Sequence, residues 1–343
     1  MTSTHTVLVA RLAAALLLAC ACFEEGVLEQ AIPSTDAAVF VVNSRGETLS
    51  RILLADGTVV RDALALGSAP NALALAPGGE RGYVASSLSN RIDVVDLDQL
   101  RVDDTIDIGP GSNPYTLILA GDQTAYVSSF LANEVVRVDL ASRSVVRRLP
   151  VGPAPEGLLL VENALYVAVT HFNYPSGPYG PGEVVVLGLA ADRDSVRARL
   201  GVGTNPQALA RAPDGRVHVV CTGDYAAREG RVFVIEPTIP AVVDSIDIGG
   251  SPAAILVLED GRGVTGGFYG GLRLYDLRDR SVRTARALAN QEGLSALAYD
   301  SADDLLYVAD FDDSAVHVVD LTADSVVTRY PVGHGPVHLA IRR

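Results

Sequence analysis

Lysine is absent from the 343 residues: all 27 basic side chains are arginine, against 41 acidic ones. Chemistry that needs a lysine amine, such as a Walker-type phosphate loop or a Schiff base, is thereby excluded. Histidine is scarce, and no HExxH or GxSxG segment occurs, so the usual zinc-peptidase and nucleophile-elbow signatures are missing. No Cys-x-x-Cys-His segment offers a covalent haem attachment. Of three cysteines, Cys20 and Cys22 lie together near the start and Cys221 stands alone, so the body of the chain has no internal disulfide. A net charge of −14 repels phosphate backbones and argues against nucleic acid as a partner. No long helical period of apolar residues appears either.

What is present begins with a targeting segment over residues 1–19. Arg11 supplies a positive n-region, and residues 12–19 form an apolar run too short to span a bilayer. Leu17-Leu18-Ala19 before Cys20 resembles the bacterial lipobox, which implies a lipoprotein signal peptide and acyl chains on Cys20. The competing reading is an ordinary secretory signal cleaved nearby. Ala21 follows in place of Asp, which by analogy with enterobacterial sorting implies the outer membrane, facing periplasm or exterior. The lipid would be the only membrane contact. Residues 20–37, with Glu24, Glu25, Pro33 and Ser34, lack periodicity and read as a flexible tether.

From residue 38 to residue 343 one unit repeats. An aromatic-Val anchor appears at Phe40-Val41, Tyr83-Val84, Tyr126-Val127, Tyr166-Val167 and Tyr307-Val308, with degenerate copies at His218-Val219 and Val264-Thr265. A second marker, a Gly-x-x-Pro link or close to it, gives Pro70, Pro114, Pro155, Pro206, Pro252 and Pro336, with Gln291 standing where another proline is expected. Both markers count seven, at steps of roughly 40 to 50 residues, the length of a propeller blade. Each unit holds four short Val-, Ile- and Tyr-rich segments separated by Gly, Pro, Asn and Asp. The expected fold is all-β: a seven-bladed propeller of four-stranded antiparallel blades. The first segment has no innermost strand before it and the last has no strands after it, so the N- and C-terminal strands should close one blade together. A monomer is expected.

These residues resemble the bacterial YVTN family. The naming stretch reads Tyr83-Val84-Ala85-Ser86 here, and Val316-His317-Val318-Val319-Asp320 and Val332-Gly333-His334-Gly335-Pro336 match the strand and link of that repeat. The resemblance implies the propeller fold and no particular chemistry, since such propellers serve as surface, periplasmic and redox-associated proteins.

Several motifs invite a functional reading. Asp96, Asp139, Asp276 and Asp320 end the third strands, where a carboxylate caps a hairpin turn. Asp310-Phe311-Asp312-Asp313 opens like a calcium loop, but Ala315 and Leu321 stand where an EF-hand needs Gly and Glu. The widest anchor step, between Tyr166 and His218, reports an insertion over residues 171–182 containing His171, Phe172, Tyr174 and Tyr179. The corresponding loop of the next unit carries Asp224, Tyr225 and Arg228. Irregular aromatic loops on a rigid scaffold are usual binding elements. Residues after the link prolines should rim the axial mouth, Glu156 and Gln207 among them, with Glu292 facing Glu156 across it. A protein or small ligand on this loop face is the expected partner, with no cofactor and no metal. Catalysis is not expected. The first alternative is a metal-dependent lactonase resembling the gluconolactonase group, for which Glu156, Glu292 and Asn113 are the available ligand-type residues. The second is a redox-associated module, disfavoured by the shortage of axial histidines.

Overall fold

The computed structural model describes residues 35–343, apart from residues 176 and 191–193. The segment read as a signal peptide, Cys20 and all but residues 35–37 of the expected tether lie outside the described residues. The rest forms seven four-stranded antiparallel sheets arranged as blades. In blade 2 the order from axis to rim is Pro70–Leu75, Arg81–Ser86, Arg91–Asp96 and Arg101–Asp107. Blades 3 to 7 repeat it, with inner strands Pro114–Leu119, Pro155–Val161, Pro206–Arg211, Ser251–Val257 and Leu294–Asp300. Blade 1 is shared between the chain ends. Pro336–Arg342 is its inner strand and pairs with Ala38–Asn43, with Ala38 opposite Arg342 and Val42 opposite His338. Closure thus gives blade 1 the same four strands as the other six and joins the two ends of the ring.

The sequence explains the layering. Second and third strands are nearly all buried because each is sandwiched between neighbouring blades; Ala38–Asn43 is buried at every position. Outer strands alternate, as in Arg101–Asp107, because one face meets solvent. Buried Val, Leu and Ile from adjacent blades interdigitate, for instance Ile92 and Ile106 of blade 2 with Val127 and Val136 of blade 3. The repeated aspartates cap their hairpins: Asp96 accepts from the Asp98 and Gln99 amides, and Asp320 accepts from Thr322 and Ala323, both at 2.8 Å.

Arg342 fastens the closure. Its guanidinium is 6% exposed, donates to Asp98 Oδ1 at 2.7 Å and to the carbonyl of Asp36 at 2.9 Å, and also reaches the Gly79 carbonyl. It thereby joins the last strand to the entering chain and to blade 2.

Candidate functional site

Two backbone devices build the axial mouth. Each inner strand is entered from a residue in the left-handed region: Ala69, Asn113, Ala154, Asn205, Gly250, Gly293 and Gly335. Immediately afterwards the register slips, as between Pro70 and Ala72, Pro155 and Leu158, and Leu294 and Ala296. A bulge of this kind leaves one or two residues unpaired and re-aims their side chains. The displaced residues are Asn71, Tyr115, Glu156, Gln207, Ala253, Ser295 and Val337, one or the first from each blade, and all line a cavity of about 470 Å³ at the propeller axis. Small residues behind them let the blades converge. A Cβ on Gly157 would collide with the Gln207 backbone of the next blade.

The register corrects one expectation. Leu294, not Gln291, occupies the proline position of blade 7, since it follows left-handed Gly293 and pairs with Asp310 as Pro70 pairs with Ser86. Glu292 is therefore an exposed loop residue, and Ser295 takes the place at the mouth opposite Glu156. Without a proline, nothing in that link marks where the strand begins. Asn113 does not line the cavity either; it supplies the left-handed turn before Pro114.

Aromatic rings wall one side. Tyr115 and Phe130 of blade 3 lie 5.9 Å apart by ring centroid, Phe130 and Phe172 6.5 Å, and Phe172 and Tyr179 4.9 Å. Tyr179 and Tyr225 follow at 6.2 Å, then Tyr225 and Phe268 of blade 6 at 5.5 Å. Six rings thus form a continuous arc across four blades. The 171–182 insertion contributes two of them because it is folded: an isolated antiparallel bridge pairs Phe172 with Tyr179. Residues directly opposite on such a bridge project to the same face.

Glu156 lies at the foot of the arc. Its side chain belongs to a residue only 5% exposed, and Oε2 has no hydrogen-bond partner among the described residues. Its backbone carbonyl accepts from Ser128 Oγ of the neighbouring blade at 2.7 Å. Burial disfavours the charged carboxylate and pushes the pKa up to about 8, so the group is mostly a neutral acid at pH 7. His338, on the inner strand of blade 1, also lines the cavity, and its Nδ1 is likewise unpartnered. Desolvation lowers its pKa to about 4 and keeps the imidazole neutral. The Glu156 charge and then burial raise the Tyr115 phenol well above its ordinary value; burial chiefly raises Tyr179 and Tyr225. All three phenols remain protonated, and Tyr225 OH accepts from Gln207 Nε2 at 2.9 Å.

Of the nine binding residues read from sequence, the cavity gathers Glu156, Phe172, Tyr179, Gln207 and Tyr225. Four lie elsewhere. His171 Nε2 meets Glu183 Oε1 at 3.0 Å, a carboxylate that also holds Arg199 at 2.7 Å. Tyr174 is 61% exposed and, with His171, borders a separate surface groove. Asp224 caps its own loop through the Ala226 and Ala227 amides, hydrogen bonds that lower its pKa. The Arg228 guanidinium sits 4.4 Å from the centroid of the Tyr269 ring. Within irregular loops no alternation reveals which side chains turn inward.

The sequence reading did not single out Phe130, Phe268 or His338. A signal for His338 existed: aligned positions in the other blades hold Ala72, Thr116, Gly157, Ala208, Ala254 and Ala296, so histidine is the one bulky residue there. Away from the mouth, Asp310, Asp313 and His317 offer possible ligand atoms within 4.8 Å of one another. The Asp310 carboxylate is already engaged by His317, Gln291 and the Asp313 amide. Burial opposes its ionisation, but these hydrogen bonds outweigh it and hold the pKa below the ordinary value.

No family model and no curated protein sequence matches the chain. Solved structures do match by fold. A hydrazine synthase structure from Kuenenia stuttgartiensis superposes with a TM-score of 0.67 at 15% identity, covering 80% of this chain and 95% of that one. A protein from Bacteroides fragilis provisionally assigned as a 6-phosphogluconolactonase gives 0.72 at 11% identity, covering 91% and 100%. A functionally unknown protein from Desulfotomaculum acetoxidans gives 0.71 at 12% identity, covering 90% and 99%. At these identities the similarity shows the fold alone: a seven-bladed, all-β propeller like those of the lactonase-type structures.

Proposed function

We propose that this protein is a ligand-binding propeller of the cell envelope without catalysis of its own, held there by lipid on Cys20, and that its ligand enters the axial mouth on the loop-bearing face. The observation that carries the reading is the buried Glu156 carboxyl under the aromatic arc, with Oε2 unpartnered. A polar atom withdrawn from water without a partner costs stability on the order of 1–3 kcal/mol, and such a group facing a cavity is placed to meet a water, an ion or a ligand group there. The cavity falls within the ordinary size range of small-molecule sites, and aromatic lining with few polar groups is their usual composition.

Lactonase activity is less well supported. Of the three ligand-type residues available for a metal, only Glu156 lines the cavity. No arginine lines it, and the chain has no lysine, so a phosphorylated sugar lactone would find no cationic side chain in the lining. The raised pKa of Glu156 beside a neutral His338 does keep hydrolysis worth assaying.

The test is a ligand-observed NMR screen of neutral, anionic and cationic fragments against the purified full chain, with gluconolactone hydrolysis measured in parallel. Binding hits are expected to be lost in Tyr225→Ala and Phe172→Ala and kept in Arg143→Ala, on a hairpin of the opposite face. Hits indifferent to the mouth variants, or hydrolysis abolished by Glu156→Gln, would overturn the proposal.

A further inference from the structure

We infer that the axial mouth takes an organic cation, an alkylated amine or quaternary ammonium group, with the six-ring arc around it and Glu156 as its counter-ion. This rests on the mouth being a ligand site, as proposed above, and adds the chemistry of the ligand.

Three ligand classes can be weighed against the lining. An anion would meet no arginine, a carboxyl group and a chain of net charge −14. A neutral hydrocarbon would fill the space but leave Glu156 Oε2 without a partner. A cation satisfies both halves of the site. Aromatic rings attract a desolvated cation through their quadrupoles, and stacked tyrosine and phenylalanine rings around an alkylammonium are a general solution to that problem. The cavity volume of about 470 Å³ is far more than a bare ammonium ion fills, which favours an alkylated group with an organic body.

The same arrangement ties binding to pH. Glu156 is faced by Tyr115 from blade 3, Tyr179 from the insertion of blade 4, Tyr225 from blade 5 and His338 across the mouth from blade 1. The phenols are held protonated and His338 neutral, so between pH 6 and pH 9 Glu156 is the lining group that changes charge. A cation binds the ionised carboxylate, and the apparent affinity is reduced by whatever fraction is protonated. Affinity therefore rises about tenfold per pH unit up to pH 8 and levels off above it. Below pH 8 each binding event releases a proton.

The experiment is calorimetric titration of the full chain with choline and with 3,3-dimethylbutan-1-ol, its uncharged isostere, from pH 6 to pH 9. Buffers of low and high ionisation enthalpy are compared. Expected are tighter binding of choline, the stated pH rise, and release approaching one proton at pH 6.5. Glu156→Gln, checked for an unchanged fold by circular dichroism, should bind choline weakly and without pH dependence. Equal binding of the isostere, or a pH-independent choline affinity in the unmodified chain, overturns the cation inference while leaving the mouth as a ligand site. Binding of neither probe also overturns it, and the fragment screen then decides separately whether the mouth binds anything.

Discussion

Glu156→Gln retains nearly the same volume and removes one proton equilibrium, so it isolates what burial of that carboxyl does to folding. In the folded chain the pKa is lifted from near 4.5 to about 8 by desolvation. An acid with a raised folded pKa holds its proton more firmly folded than unfolded. Its contribution is therefore fully present below pH 4.5, declines as pH rises, and is exhausted above pH 8. Across that interval the change amounts to about 5 kcal/mol, at roughly 1.4 kcal/mol per pH unit. His338 acts in the opposite sense. Its pKa falls from 6.5 to about 4, so the fold resists its protonation and stability is lost as pH drops below 6.5. Burial lowers His218 to about 4 as well, which adds a second slope of the same sign.

Between pH 4.5 and 6.5 the Glu156 slope offsets one of the two histidine slopes. The unmodified chain should therefore gain about 1.4 kcal/mol per pH unit there and then lose about 2 kcal/mol between pH 6.5 and 8. In Glu156→Gln only the two histidine slopes remain: stability should climb about twice as steeply up to pH 6.5 and stay level beyond it. Urea unfolding followed by far-ultraviolet circular dichroism at pH 5, 6.5, 8 and 9 measures both curves, and groups common to the two proteins cancel in the difference. Parallel pH profiles would refute the reasoning, because they would mean that Glu156 titrates alike in the folded and unfolded chains.

Two further outcomes follow from closure and anchoring. Deleting residues 337–343 removes the inner strand from Ala38–Asn43, the buried Leu339 side chain and the Arg342 hydrogen bonds. Thermal melting should shift down by about 10 °C or more as one transition, and an unchanged midpoint would refute the closure argument. Cys20→Ser should move the protein from the membrane fraction to the soluble envelope fraction, and fractionation identical to the unmodified chain would refute the lipid anchor.

The ring was legible because two unrelated markers, the aromatic-Val anchor and the link proline, kept the same period through the chain. Closure was legible because the first segment lacked an inner partner and the last lacked outer ones. At the mouth, legibility stopped where the markers did. Tyr115, Glu156 and Gln207 could be placed by counting one residue past a proline. Ser295 could not, since Leu294 stands in the proline's place and carries no turn signal of its own. Phe172 and Tyr179 could be suspected as aromatic but not paired, because their bridge depends on the path of an insertion that no other blade shares. His338 was readable as a bulky exception to a column of small residues and needed only the alignment of inner strands.

Fold and site are written in different positions of the same repeat. Second-strand valines, left-handed link residues and hairpin aspartates recur because every blade must solve the same packing and turn problem. The bulge that follows each link is equally regular as backbone, yet the side chain it presents differs in every blade: amide, phenol, carboxyl, hydroxyl or small alkyl. A substitution there changes what the mouth offers without disturbing the strand ladder, since the displaced residue has no register partner to lose. Carboxyl burial at Glu156 is the exception that tests this. It is the buried one among the bulge residues, so its cost to the fold has to be offset by packing elsewhere in the ring.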